Sequence, residues 1–329
     1  MLAISRADLK QLVSMNQCIS LVKDAFVELY QDRADVPLRL GLDIDPGSDV
    51  TLLMPAHMPK LGALGFKVVS VFQSNGSRGL PVTSAMVTMV DAETGVPNAI
   101  LNGSYLTQLR TGAVTGAGVQ LMAREDSKHL VVIGGGAQGV TQAAAVAAVR
   151  DLESITVVDP FEASFARFQA AVEEDWPELA SRLKFTTDAE HPVRKADIIC
   201  LATTSKQPVF DAAWVKPGVH VSGVGSFTPE MQETPEAFVV NARIVVDMAE
   251  HALAETGDLI IPIEKGTLKV SEIAGELGGL VLGEFQGRTS AEENTFFKSV
   301  GNAVQDIAVG QYAVQQATAK GIGQQIDLG

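Results

Sequence analysis

Three glycines, Gly134, Gly136 and Gly139, stand in the order G-x-G-x-x-G within VVIGGGAQGV, residues 131–140. The run before them is β-branched and the stretch after them is rich in alanine, which places the pattern where a strand hands over to a helix. There the first glycine allows a tight turn, the second lets a pyrophosphate approach the backbone, and the third lets helix pack on strand. The free N–H groups at the helix start then face the anion. Ala137 and Gln138 belong to the same loop, and the Gln138 amide is placed to add a phosphate or ribose contact. Asp159 follows about 20 residues later at the end of ITVVD, where a carboxylate accepts hydrogen bonds from an adenosine ribose. A carboxylate there repels a 2′-phosphate, and no arginine comes before Arg167, so the sequence favours NAD(H), with NADP(H) as the alternative. Asp159 is also suited to cap the helix beginning near Phe161. Thr203 and Thr204 follow the apolar run ADIICLA at the carboxyl edge of a sheet, where open α/β folds bind ligands.

A second set of residues suits an acidic substrate. Lys67 interrupts the apolar strand GFKVVSVF, Arg110 sits at the helix junction LTQLRTGAV, and Arg39 follows DVPL. A lysine inside a β-branched run is costly to bury unless it meets an anion, and an arginine fork matches a carboxylate in two parallel hydrogen bonds. Internal ion pairs or snorkelling to solvent are the competing explanations for Lys67 and Arg110, and a surface position is the competing one for Arg39. Lys298 in TFFKSVG stands open between a place beside the nicotinamide or the substrate and the surface. Glu255 and Asp258 in AETGDL are read as a solvated turn, with a place on the rim of the active site as the alternative. The five histidines have no metal-ligand spacing, so no metal is expected.

These residues need two frameworks to hold them. Residues 5–30 read as helical, and residues 51–101 as an antiparallel sheet with DAETG as a turn. Ser104 is the expected cap of a helix running to about Ala123. From Lys128 short β-branched runs alternate with helices, the pattern of a parallel sheet covered on both faces. After about 290 a long helical pattern is interrupted by Gly301 and Gly310. The fold class expected is α/β: a Rossmann doubly wound parallel sheet plus an α+β substrate-binding and dimerisation domain.

A net charge of −14 repels a phosphate backbone, so nucleic acid is excluded as a partner and any anionic substrate must be held by local cations. Cys18 and Cys200 are read as reduced core residues. The opening MLAISRADLK reaches Asp8 before any sizeable apolar run, and no later run suits a membrane span, so the expectation is a cytoplasmic protein without membrane association.

The segments GFKVVSVF, DAETGVPNAILNGSYLTQLRTGA, VVIGGGAQG, GVGSFTPEMQE, AETGDL and TFFKSVGNAVQD together resemble the ornithine cyclodeaminase/μ-crystallin family, in the family's order and over nearly the whole chain. The resemblance implies a substrate-binding and dimerisation domain over residues 1–123 completed by about 294–329, a Rossmann domain over 124–293, and a homodimer. It also assigns Arg39, Lys67 and Arg110 to the substrate carboxylate, with Lys67 and Arg110 as the catalytic pair. Where cyclodeaminases and archaeal-type alanine dehydrogenases carry an aspartate in D-x-P-G-K, this chain has Phe227 in SFTPEMQE. Phenylalanine can neither accept a proton nor pair with an ammonium, but it suits an apolar ring. That version of the segment resembles the one in bacterial Δ1-pyrroline-2-carboxylate reductases. The implied activity is NAD(P)H-dependent reduction of a cyclic imino acid, Δ1-pyrroline-2-carboxylate to L-proline, with Δ1-piperideine-2-carboxylate as a second substrate. The alternatives are an alanine dehydrogenase, an ornithine cyclodeaminase, and a non-catalytic μ-crystallin-like binding protein.

Overall fold

The computed structural model describes residues 1–45 and 49–327. In chain order the elements are β1 (Leu2–Ile4), α1 (Arg6–Leu12), α2 (Met15–Tyr30), β2 (Leu40–Asp45), β3 (Asp49–Met58), β4 (Ala63–Phe72), β5 (Thr83–Val90), β6 (Pro97–Asn102) and α3 (Gly103–Met122). There follow β7 (His129–Ile133), α4 (Ala137–Val149), β8 (Ser154–Val158), α5 (Ala163–Asp175), β9 (Leu183–Thr186), α6 (Glu190–Val193), β10 (Ile198–Leu201), β11 (His220–Gly223), α7 (Glu236–Val239) and β12 (Arg243–Val246). The last are α8 (Ala249–Glu255), α9 (Gly257–Glu264), β13 (Ile273–Glu276), α10 (Leu277–Leu282), β14 (Thr295–Lys298), α11 (Ala303–Lys320) and β15 (Gln324–Gln325). Two compact units result, one formed by Met1–Arg110 with the chain from Asn302 onward and the other by Thr111–Gly301. The divisions thus fall within α3 and after β14, rather than after residue 123 and near 294.

In the first unit the stretch 5–30, expected as one helix, forms two. Ser5 and Asp8 make a reciprocal capping box on α1, Val13 is extended, and Ser14 accepts the Gln17 N–H to start α2. The expected cap Ser104 instead accepts the Ala85 N–H, and Asn102 caps α3 through the Tyr105 N–H. Strands β2 to β6 form an antiparallel meander, but β1 joins β6 in parallel, so the sheet as a whole is mixed. Its strand order among the described residues is β15-β1-β6-β5-β4-β3-β2. Alternation along β4 turns Ala63, Gly65, Lys67 and Val69 to one face, which is buried. Helix α11 packs on that face at close range: a Cβ on Gly65 would press on Ile307, and one on Gly310 would lie 2.8 Å from Met89 Sδ. The glycine that interrupts the helical pattern at 310 therefore lets α11 approach the sheet. Leu40, Leu53, Val68 and Met86 lie opposite one another on the other face, where all but Val68 are exposed.

The second unit is an all-parallel sheet in the order β13-β12-β14-β11-β10-β7-β8-β9. Its α/β, doubly wound character is the one expected, with one local correction. TFFK, read as the start of the last helix, is strand β14, inserted between β11 and β12 with Phe296 and Phe297 fully buried. Continuous apolar side chains suit an interior parallel strand. Gly301 at φ +80° and the Asn302 cap then separate the strand from α11. Beside β14, the imidazole of His220 is buried, with Nδ1 2.8 Å from Thr295 Oγ1 and Nε2 2.8 Å from Ser222 Oγ. Burial, helped by the charges of Arg288 and Arg150, pushes its pKa down to about 3. Between the ordinary histidine value and that one the folded state holds fewer protons than the unfolded chain. His220 therefore adds stability that is complete above the ordinary value and is lost as pH falls through the window, with a slope of up to ~1.4 kcal/mol per pH unit. Urea midpoints across that window should fall with pH, and His220→Gln should flatten the fall.

Candidate active site

Lys67 and Arg110 are brought together by a third buried charge that the sequence reading did not single out. Asp306, in the first turn of α11, is fully buried; its Oδ2 is 2.6 Å from Lys67 Nζ and its Oδ1 3.0 Å from Arg110 Nε. Gln305 accepts a second Arg110 bond, Nη1 to Oε1 at 2.7 Å. Each cation comes from a different element: β4 turns Lys67 to the helix-covered face, and α3 carries Arg110 at its middle. Lys67 is 1 % exposed and Arg110 5 %. Lys67 has three N–H groups and makes one bond, while Arg110 Nη2 has no protein partner among the described residues. N–H groups left over in this way are able to take an acceptor from outside the chain, and a carboxylate fits both.

Burial, with the charge of Arg110, lowers the Lys67 ammonium to about 7, and Asp306 opposes that shift. Burial pulls Asp306 upward, but Arg110 and Lys67 outweigh it and hold the carboxyl below its usual range. Arg39 lies half-buried in the irregular segment before β2, close enough for its charge to act on Lys67.

In the second unit the strand ends register so that the loop glycines, Asp159 and Thr203 follow Ile133, Val158 and Leu201 at the carboxyl edge of β7, β8 and β10. Gly134 sits at φ +113°, a conformation that favours glycine, and a Cβ there would collide with Ala202 O. A Cβ on Gly139 would strike Gly134 O, whereas one on Gly136 would meet nothing within 4 Å. Gly136 and Ala137 are exposed, and Gly136 starts α4 without a side-chain cap. Those uncapped N–H groups, on an open crest, fit a pyrophosphate. Gln138 Oε1 is buried without a hydrogen-bond partner among the described residues, so it fits a ligand donor. Asp159 spans the loop: Oδ2 accepts the Gly135 N–H at 2.7 Å and Oδ1 the Phe161 N–H at 2.8 Å. It thus caps the turn into α5 while its remaining lone pairs suit a ribose. The residues present fit a dinucleotide.

Beyond β10 and β11 a buried network holds the loops. Glu233 accepts the Thr203 N–H at 2.6 Å, the Thr203 hydroxyl at 2.9 Å, and the N–H groups of Gly225 and Ser226 at 2.7 and 2.9 Å. Thr203 therefore uses its hydroxyl internally, and Thr204 is exposed. Asp258, expected in a solvated turn, is fully buried in the first turn of α9 and accepts the N–H groups of Glu233 and Thr234. Lys298 is fully buried too, 3.3 Å from Gly223 O and 3.4 Å from Asp258 Oδ2, so the surface alternative fails. Burial pushes the Glu233 carboxyl up, with Lys298 opposing. Phe227 follows this clamp in the loop after β11 and is 36 % exposed. No group of acidic, histidine or cysteine side chains suited to a metal occurs among the described residues.

The model of the ornithine cyclodeaminase/mu-crystallin family matches residues 2–321. The chain is 40 % identical over 329 residues to a Delta(1)-pyrroline-2-carboxylate reductase of Bacillus cereus, covering 100 % of each. Its fold is similar to that of Thermococcus litoralis Delta(1)-pyrroline-2-carboxylate reductase in complex with NADH and L-proline, at a TM-score of 0.94 and 36 % identity over 99 % of this chain and 100 % of that one. It is also similar to an archaeal alanine dehydrogenase dimer with bound NAD, at a TM-score of 0.90 and 30 % identity over 100 % and 99 %.

Proposed function

We propose, from the premise that this chain belongs to the ornithine cyclodeaminase/mu-crystallin family, that it is an NAD(P)H-dependent imine reductase that converts Δ1-pyrroline-2-carboxylate to L-proline. Within this chain the observation that carries the reading is the pair of buried cations, Lys67 and Arg110, with N–H groups left for a carboxylate. Arg110 presents its Nη edge to the substrate carboxylate, Lys67 adds a second charge, and Arg39 completes the group. Each such charge-assisted bond contributes roughly 1.5–3 kcal/mol, and holding the acid group by two of them fixes the ring, so that orientation supplies part of the rate. Gly134, Gly136, Ala137, Gln138, Gly139 and Asp159 hold the dinucleotide. When bound, it supplies the hydride that C2 of the protonated imine accepts, the ring nitrogen already carrying the proton it keeps in the product amine. Glu233 and Lys298 keep the loops after β10 and β11 in place, and Phe227 offers an aromatic wall to an apolar ring in place of an acid.

The test follows NADH oxidation spectrophotometrically with Δ1-pyrroline-2-carboxylate, with Δ1-piperideine-2-carboxylate and with pyruvate plus ammonium, and ammonia release from ornithine plus NAD+. Turnover of the cyclic imines above the other pairs is expected. Faster pyruvate amination would overturn the reading in favour of an alanine dehydrogenase. Because Asp159 stands where a 2′-phosphate would lie, kcat/KM for NADH should exceed that for NADPH by roughly tenfold or more, about 1.4 kcal/mol. Asp159→Ser should narrow that ratio, and an unchanged ratio would count against this role.

We also place a second copy of the chain on the open face of the mixed sheet. Leu40, Leu42, Ile44, Leu53 and Met86 leave an apolar surface there, and the similar archaeal alanine dehydrogenase is a dimer. Sedimentation should give twice the chain mass, and Leu42→Lys should lower it. No helix among the described residues is long and apolar enough to cross a membrane, and both cysteines are buried free thiols, in keeping with a cytoplasmic enzyme.

A further inference from the structure

The structure assigns to Asp306 a part in the reaction proposed above: it is a positioning residue that holds Lys67 as an ammonium and fixes Lys67 and Arg110 against each other, so that both meet the substrate's acid group. The assignment rests on the functional reading and on geometry. Asp306 gives one oxygen to each cation, and neither of its oxygens meets solvent. It occupies the first turn of an 18-residue helix that is capped by Asn302 with Gln305 in the reciprocal position, where the helix dipole favours a carboxylate.

Among the described residues, charged groups act on Lys67 from several elements. Arg110 faces it from α3 and Arg39 from the segment before β2, both disfavouring its charge. Asp306 on α11 opposes them, and Gln305 beside it is neutral. Cys18 on α2 lies within reach of Arg110 and Asp306, and burial pushes its thiol up, so it adds no charge. Removing the carboxylate leaves a buried amine among cations, which sheds its proton at lower pH. A substrate carboxylate does the reverse and draws a proton onto Lys67 when it binds.

The experiment compares pH profiles of kcat/KM for the cyclic imine in wild type, Asp306→Asn and Asp306→Glu. The alkaline limb should move down by about one pH unit or more in Asp306→Asn, so that its deficit grows roughly tenfold from the acidic to the alkaline side. Asp306→Glu should keep the limb at its wild-type position. A merely structural role lowers the profile equally at every pH, and such parallel profiles would overturn the assignment. Should Asp306→Asn not fold, calorimetry on the NADH-loaded wild type decides. Binding of pyrrole-2-carboxylate, whose ring nitrogen does not titrate near neutrality, should take up no proton at about pH 5.5, where Asp306 already keeps Lys67 charged, and a fraction of one at about pH 8, above the Lys67 value of about 7, read from heats in buffers of different ionisation enthalpy; uptake at the acidic pH would overturn the assignment. A wild type that ignores the cyclic imine removes the functional reading itself, a different outcome from either.

Discussion

Arg110→Ala is expected to lower kcat/KM for the cyclic imino acid by roughly 100- to 1,000-fold, about 3–4 kcal/mol of transition-state stabilisation. The guanidinium is held from behind, Nε by Asp306 and Nη1 by Gln305, so its remaining edge is already oriented before substrate arrives. A pre-oriented fork loses little entropy on binding, and a carboxylate accepts from it in two parallel bonds. Alanine removes both bonds and also leaves Gln305 Oε1 and one oxygen of Asp306 with fewer donors in a buried place, so part of the loss comes from disorder of the pocket. Lys67 compensates in part. With Arg110 gone, one of the charges that lowers its pKa is gone, and the amine stays protonated to higher pH. Arg110→Lys keeps the charge without the fork and should recover only a fraction of the rate. Affinity for NADH, which rests on the glycine loop, is the control and should change little. Steady-state kinetics with a fluorescence titration of NADH separates these outcomes, and an Arg110→Ala enzyme at full rate would end the carboxylate assignment.

How much of this was legible in the sequence depended on whether the signal was local. Gly134, Gly136 and Gly139 carry their meaning in their spacing, because a strand-to-helix turn is a matter of neighbouring residues, and the loop forms as read. Lys67 was conspicuous because a lysine within GFKVVSVF has to find an anion. The anion itself was not, since Asp306 lies 239 positions away and only folding joins them. One trace was available: Asp306, Val309, Gly310 and Ala313 follow helical spacing along a face that is buried, and a carboxylate on such a face needs partners. Asp258 misled for a related reason. AETGDL has the composition of a turn, but Thr256 caps a helix there and Asp258 accepts N–H groups from Glu233 and Thr234, a requirement set by a distant loop. TFFK was absorbed into the helix after it because four residues are too few to show a period. Its strand character comes from two neighbours, β11 and β12, that pair with it on either side.

The glycine loop permits a test that separates folding from cofactor binding within six residues. Gly136→Val should leave the thermal midpoint nearly unchanged while weakening NADH roughly 100-fold, about 2.7 kcal/mol. Gly136 has φ −83° and ψ −177°, extended backbone open to any residue, and a Cβ there meets no protein atom within 4 Å. What the side chain would fill is the space in front of the uncapped N–H groups of α4, which is where a pyrophosphate has to come close to backbone. Gly139→Val should behave in the opposite way, because its Cβ meets Gly134 O, Val132 and Phe168, backbone and core that cannot move aside. Loss of folding is expected there, with NADH binding lost as a consequence. Gly134→Ala adds backbone strain at φ +113° to a collision with Ala202 O and should also destabilise. The contrast matters more than any single value: a glycine-rich turn that served only packing would make all three substitutions costly to stability or all three harmless to NADH. A folded Gly136→Val protein that binds NADH as well as the parent would therefore remove the dinucleotide from this loop, and with it the reductant that the proposed reaction requires.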